Sequence, residues 1–356
     1  MAFPNQKFFA KALIQWDKSQ NQREMPWKAE PDPYKIWLSE IILQQTRVDQ
    51  GWEYYTRFIA KYPNIKQLAA APDAEVFKLW EGLGYYSRCK NLIATAKKIS
   101  QEYNGQFPGA YDDILALKGI GPYTAAAIAS FGFNLPYAVV DGNVSRVLSR
   151  FFAIASPIDS TVGKKQFAGL AQDLLDLRDP GGYNQAIMDF GATICKPAIP
   201  LCDACVLQKK CLAYQQDKVK VLPVKEKKMI RRERWFYYLV FQAGNKMLIH
   251  KRESKDIWQN LHEPFLLEQL EKLSADQLLM QQEFRLVAGK HFKILSISKS
   301  YRQLLTHQTI RAQFIRMEVP EKFNIEGFEW LDKTEMAKLA FPRLINDYLL
   351  ENKTGN

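Results

Sequence analysis

The chain has 356 residues, too many for one ordinary core, so two domains are the default expectation. Its 49 lysines and arginines against 38 acidic residues leave 49 − 38 = +11, which favours an anionic partner such as nucleic acid, although a merely basic protein would carry it too. Neither a signal peptide nor an apolar run of roughly 18 residues that could span a membrane is found, so a cytoplasmic protein without disulfides or membrane contacts is expected.

From Phe8 to about Gln215 nearly every segment carries helical periodicity, with short breaks at Gly and Pro. The stretch KIWLSEIILQQTRVDQGWEYYTRFIAKY (35–62) reads as helix and places Glu40 beside Ile36, Trp37, Leu43 and Gln44. Three of those four neighbours are apolar, and a carboxylate pushed into such a setting has its pKa raised. Glu40 is thus either a glutamate at the stripe's edge with its head in water or a catalytic acid. Further on come DAEVFKLWEGL and RCKNLIATAKKISQEY, with GLGYYSR between them, which alone is a helix break with core aromatics. Cys89 has no partner in sequence and reads as an ordinary helix residue.

Within 111–131, LKGIGPYTAAAIASF has two helices joined by Gly119-Ile120-Gly121, with Pro122 opening the second. Such a turn is either a tight helical hairpin or a phosphate contact, since glycines let the backbone approach and helix N-terminal amides attract anions. Such contacts position DNA without reading sequence. In VVDGNVSRVLSRFF, Asp141 or Asn143 is an attractive helix N-cap. Amide donors and the positive helix end should keep Asp141 ionised, with a depressed pKa. A depressed Asp141 beside a raised Glu40 is the acid and charge-stabiliser pairing that glycosidic cleavage uses.

Cys195, Cys202, Cys205 and Cys211 close the helical region with the spacing C-x6-C-x2-C-x5-C. Four thiolates that close in sequence can converge on one soft metal centre, zinc included. Residues 216–234 then turn charged, with eight lysines or arginines between Lys218 and Arg234 against two glutamates, as a basic linker would. A solvated connector or a phosphate-contacting one both fit. From Trp235 the segments WFYYLVFQAG, KMLIHKR and TIRAQFIRMEV are strand-like, with helical stretches near Ser274–Phe284 and Thr334–Glu351.

The cysteine spacing, the L-x-G-x-G-P-x-T-A hairpin, SEIILQQT and VDGNV together resemble the endonuclease III and MutY family of helix-hairpin-helix DNA glycosylases. That resemblance covers nearly the whole chain and implies a multidomain fold. An all-α glycosylase domain would fill 1–215, with one [4Fe–4S] cluster on Cys195, Cys202, Cys205 and Cys211. A linker at 216–234 would lead to a smaller α/β Nudix-like domain at 235–356. Bifunctional relatives carry a lysine two residues after the hairpin's second glycine; here that position is Tyr123, which cannot form a Schiff base. With the glutamate of SEIILQQT, this resembles the MutY-type branch, adenine DNA glycosylases acting on double-stranded DNA with adenine opposite 8-oxoguanine or guanine.

The resemblance gives Glu40 the role of acid to the leaving adenine and Asp141 that of stabiliser of the oxocarbenium-like sugar. Asn143 would hold Asp141 and the nucleophilic water, with Tyr123 packed beside them. Gly119 and Gly121 would meet phosphate, and Lys28 of MPWK stands where an arginine is frequent. Gln45 and Tyr85 would wedge beside the unflipped 8-oxoguanine, and Leu305-Thr306-His307 aligns with a lesion-reading Phe-Ser-His loop. The C-terminal module lacks the G-x5-E-x7-R-E-x2-E-E signature, which implies a reader and not a pyrophosphatase. A monomer in the cytoplasm, nucleoid-associated if bacterial, is expected. The rival readings are a bifunctional glycosylase/lyase for oxidised pyrimidines and a non-catalytic DNA-binding protein.

Overall fold

A computed structural model describes residues 5–226, 231–288 and 292–352. Helices α1 (Gln6–Gln20), α2 (Pro33–Leu43), α3 (Val48–Lys61), α4 (Ile65–Ala70), α5 (Asp73–Trp80) and α6 (Tyr86–Glu102) come first. They are followed by α7 (Tyr111–Leu115), α8 (Pro122–Ala127), α9 (Gly142–Phe151), α10 (Thr161–Leu174), α11 (Pro180–Thr193) and α12 (Leu212–Gln215). The starts are written in the sequence. Asp32 and Asp179 accept from the N–H groups of Tyr34 and Gly182, each with Pro at the next position, and Ser160 accepts from Gly163.

The expected single helix over 35–62 is two. Gln44–Arg47 breaks it, with Gln45 in the left-handed region at φ 56°. The second hairpin helix also changes character, since Ile128–Gly132 winds as a π-helix continuing α8. Such an inserted turn re-aims side chains and recurs at functional sites.

The chain forms two compact units, and neither follows the sequence-based boundaries. One contains 1–70 and 91–228; the other contains 71–90 and 229–356. In the first unit, α11 is central. Tyr183, Ile187 and Phe190 pack among Phe9, Trp16, Phe151 and Phe167, with Trp16 edge-on to Phe190 at 5.0 Å. Part of the expected linker belongs here too: Arg150 donates to Leu222 O, Ile158 N–H to Val224 O, and Glu226 N–H to Asp159. Linker residues 227–230 lie outside the described residues.

The second unit is built on a sheet of strands β1 (Arg232–Ala243), β2 (Lys246–Lys251), β3 (His262–Glu263), β4 (Phe265–Gln269), β5 (Lys293–Ile297), β6 (Tyr301–Leu304), β7 (Gln308–Glu318) and β8 (Phe328–Leu331). The long β1 and β7 run parallel, from Arg232 opposite Gln308 to Gln242 opposite Glu318, and β4 pairs antiparallel with β1. Both faces of β1 are buried, as a sheet covered on two sides requires. The expected C-terminal helices each divide, into α13 (Ala275–Met280) and α14 (Gln282–Ala288), then α15 (Lys333–Met336) and α16 (Arg343–Glu351). On α16, Tyr348 stacks on Phe314 of β7 at 3.9 Å. The 71–90 segment contributes buried Val76, Phe77 and Trp80 to this unit; Lys78 donates to Leu339 O and Glu81 accepts from Phe341 N–H, both at 2.8 Å. Among the described residues no helix is long and apolar enough to cross a membrane.

Candidate active site

A cavity of about 840 Å³ opens in the first unit, and Lys28, Glu40, Gln45, Tyr123, Asp141 and Asn143 all line it. Six residues singled out from separate stretches of sequence thus share one wall. Helix α2 is buried on nearly every side, which settles the question about Glu40: its side chain is inside, with the residue 8% exposed. Its pKa is pushed up to about 7, chiefly by burial; a hydrogen bond from the Tyr123 hydroxyl opposes that rise and the nearby Asp141 adds to it. A carboxyl at that value is half protonated near neutrality, where a general acid is most useful.

Asp141 caps α9. Its Oδ1 accepts from Val144 N–H and its Oδ2 from the Asn143 amide, both at 2.7 Å. The expected depression of its pKa does not occur. Burial outweighs those hydrogen bonds and the Arg146 charge, and the pKa is raised. Short-range donors were legible in the sequence; the depth of the cap was not. Tyr123 is half-buried, with its hydroxyl end turned inward, where desolvation and the two carboxylates hold it neutral.

Several residues that build this site went unnoticed in the sequence. Arg146 Nη2 donates to Asn143 Oδ1 and Gly191 O, both at 2.7 Å, and its Nε donates to Cys195 O at 2.7 Å. One turn on, Arg150 holds Lys196 O, Pro197 O and Cys195 Sγ. The available signal was the i, i+4 spacing of two arginines on a helix whose other face carries Val144, Val147, Leu148 and Phe151. Gly191 is packed so closely that a Cβ there would lie 2.7 Å from Asn143 Cβ. Buried Asn184 takes Val139 N–H and donates to Ser130 Oγ and Tyr137 O, fixing the irregular segment that leads to Asp141. Asp189, fully buried, accepts from Asn21, Arg23, Lys28 and Gln185, so Lys28 is held at 3.0 Å by a carboxylate.

At the hairpin, Gly119 has φ +79°, and a Cβ would meet Asn91 Cβ at 2.7 Å, so glycine is required. Gly121 is extended, with open space around its Cα ahead of α8. In the second unit Leu305–His307 forms the turn between β6 and β7, Thr306 half-buried and His307 exposed. The hydroxyls of Tyr85 and Thr306 are 2.8 Å apart, and Tyr85 is left-handed at φ 49°.

The four loop cysteines follow α11. They are partly exposed, and three of them pack on the first unit's core. Each thiol whose titration is displaced is raised by burial, Cys205 to about 12, with neighbouring cysteines raising it further. Among the described residues no group of three or more His, Cys, Asp or Glu side chains stands in a metal-binding arrangement. The donor set nevertheless fits a thiophilic group: four sulfurs gathered on one short loop, with a guanidinium 3.4 Å from Cys195 Sγ. Binding such a group is what would convert raised thiols to thiolates.

Residues 38–167 match the family of HhH-GPD superfamily base excision DNA repair proteins, and residues 236–351 match the NUDIX domain. A thermostable thymine-DNA glycosylase of known structure superposes with a TM-score of 0.55 at 30% identity, over 60% of this chain and 97% of its own. Fold, cavity and these matches define a DNA N-glycosylase of the helix-hairpin-helix class with an appended Nudix domain. The adenine DNA glycosylase of Buchnera aphidicola subsp. Acyrthosiphon pisum (strain APS) is 30% identical over 350 residues, covering 98% of each chain. That of Buchnera aphidicola subsp. Baizongia pistaciae (strain Bp) is 37% identical over 254 residues, 71% of this chain and 72% of its own. The chain belongs to the adenine DNA glycosylase family.

Proposed function

We propose that the protein flips adenine out of duplex DNA opposite 8-oxoguanine or guanine and hydrolyses its N-glycosidic bond, without lyase chemistry. The observation that carries this reading is Glu40: a buried carboxyl, titrating near 7 and bonded by Tyr123, in the cavity that Asp141 also lines. Extrusion of the base costs a few kcal/mol. Glu40 gives its proton to the departing adenine, and positive charge develops on the sugar. Asp141 answers that charge. Its hydrogen bonds from Val144 and Asn143 suit the ionised form, and a cationic sugar favours that form further. Asn143, held by Arg146, keeps the carboxylate aimed and shares the nucleophilic water.

Lys28, pinned by Asp189, and Gln45 flank the base-binding cavity, while Gly119 and Gly121 give a phosphate access to the backbone. Tyr85, with Leu305, Thr306 and His307, reads the opposite base. Cys195, Cys202, Cys205 and Cys211 hold one [4Fe–4S] cluster, which stiffens the loop they sit on. None of the hydrolytic steps passes through it. The protein acts as a cytoplasmic monomer. The glycosylase chemistry belongs to the unit of 1–70 and 91–228, and the reading of the opposite base to the unit of 71–90 and 229–356.

Duplexes carrying A:8-oxoguanine, A:G, A:T or thymine glycol test the reading through alkali-revealed strand breaks. Breaks at adenine in the first two duplexes support it. Breaks at thymine glycol instead would favour the bifunctional alternative.

A further inference from the structure

Arg234, on β1, carries a guanidinium whose five N–H groups all have partners. Its Nε and Nη2 donate to Glu268 at 2.6 Å each, and its Nη1 and Nη2 to Asp256 at 3.0 and 2.7 Å. Nη1 is shared with a third acceptor, the side-chain Oε1 of Gln308 at 3.0 Å. The two carboxylates are fixed in turn, Asp256 by Arg252 and Glu268 by its place on β4. Arg234 is 7% exposed and lies over the Phe236 ring at 4.9 Å, so the guanidinium is fixed inside the second unit, while its two carboxylate partners are partly exposed. The one flexible acceptor it reaches is Gln308.

Gln308 is the first residue of β7, directly after the Leu305–His307 turn. Its carbonyl accepts from Leu305 N–H at 2.8 Å and closes that turn, while His307 O accepts from Arg232 N–H at 3.0 Å. Residue 308 is therefore the hinge of the loop, tied by its backbone to one end and by its side chain to a buried cation.

We propose that Arg234, clamped by Asp256 and Glu268, positions the Leu305–Thr306–His307 loop through Gln308 and so sets how well the enzyme distinguishes the base opposite adenine. This rests on the reading of that loop given above. An anchored loop makes its contacts without first being ordered, and the ordering cost then does not fall on recognition. A buried arginine suits the task because a lysine's three donors could not hold both carboxylates bidentately and bond the amide as well.

Removing Arg234 itself would leave two carboxylates uncompensated and endanger folding, so Gln308 is the residue to change. Gln308→Met keeps length and removes the acceptor; Gln308→Glu keeps an acceptor for Arg234. Single-turnover excision is measured on A:8-oxoguanine and A:G duplexes, with thermal melting alongside. One net hydrogen bond is worth roughly a 2–10-fold factor in an equilibrium, so Gln308→Met should lower the A:8-oxoguanine to A:G ratio by about threefold or more. Gln308→Glu should restore it, which a purely structural role would not predict. A Gln308→Met ratio equal to that of the parent, in a preparation where Thr306→Ala with His307→Ala does lower it, overturns the inference and leaves the loop's role standing. If the double variant also keeps the full ratio, the loop does not read the opposite base and both ideas fall.

Discussion

At the residue scale the chemistry is set by where two carboxylates sit. Glu40 titrates near 7 because α2 is buried around it, and this has an energetic consequence. The displacement from 4.5 to about 7 means the unfolded chain loses the Glu40 proton first as pH rises. Between those values the group withdraws stability, roughly 3 kcal/mol in full once pH exceeds 7, and withdraws none below about 4.5. Glu40→Gln should therefore be more stable than the parent at pH 8, by roughly 1–3 kcal/mol, and no more stable at pH 4.5, as denaturant melts at the two pH values will read. The same variant should lose at least about 10²-fold in adenine excision while still binding the duplex. For the parent enzyme, the excision rate should fall as pH climbs through 7; a rate flat from pH 6 to 9 would remove Glu40 as the acid. Tyr123, where a nucleophilic lysine would stand, predicts little covalent adduct when borohydride is added during turnover. That Glu40, Tyr123, Asp141 and Asn143 could be singled out before they were seen to line one cavity reflects how chemically distinctive their local patterns are. The sequence misjudged Asp141, since a helix cap can be recognised from neighbours but its depth depends on what α11 stacks above it.

At the scale of elements, the hairpin and the cysteine loop make separate predictions. The two hairpin glycines serve different needs. Gly119→Ala adds a Cβ at φ +79° and 2.7 Å from Asn91 Cβ on α6, so it should cost about 2 kcal/mol or more in thermal or denaturant stability. Gly121→Ala meets open space at an ordinary backbone angle, so its melt should stay close to the parent's while duplex affinity drops, if the backbone there approaches a phosphate. Equal destabilisation by both would mean the turn is structural alone. The cysteine loop should yield a brown protein with about four irons per chain, in line with ligation by four thiolates. One zinc and no iron in anaerobically purified protein would reverse that. Cys202→Ser should act on folding and DNA binding more than on the chemical step. Periodicity located the helices but not the irregularities at Gln44–Arg47 and Ile128–Gly132, because a left-handed Gln45 and a π-turn are imposed by packing; no Gly or Pro marks the first, and Gly132 marks only the end of the second.

At the scale of the whole molecule, the sequence showed two domains by their change of texture, helices giving way to aromatic and β-branched strands. What it did not show is that 71–90 belongs with the second. No local pattern distinguishes 71–90 from the helices around it; its allegiance is visible in Lys78 donating to Leu339 O, Glu81 accepting from Phe341 N–H and Tyr85 meeting Thr306. A chain ended after Glu226 makes this measurable. It keeps Glu40, Asp141, the hairpin and the cysteines, and should still excise adenine. It loses the bond from Lys78 to Leu339 O and that from Phe341 N–H to Glu81, two hydrogen bonds to charged groups worth roughly 1 kcal/mol each after allowing for partial exposure, while Lys78 and Glu81 keep each other at 2.7 Å. The shortened chain should accordingly melt several degrees lower than the parent. Its preference for A:8-oxoguanine over A:G should fall about tenfold or more, since Thr306 and His307 are gone and Tyr85 has lost its hydroxyl partner. A truncated chain that melts like the parent would show that 71–90 is held by the helices alone. One that also discriminates like the parent would assign recognition of the opposite base to Gln45 and the first unit.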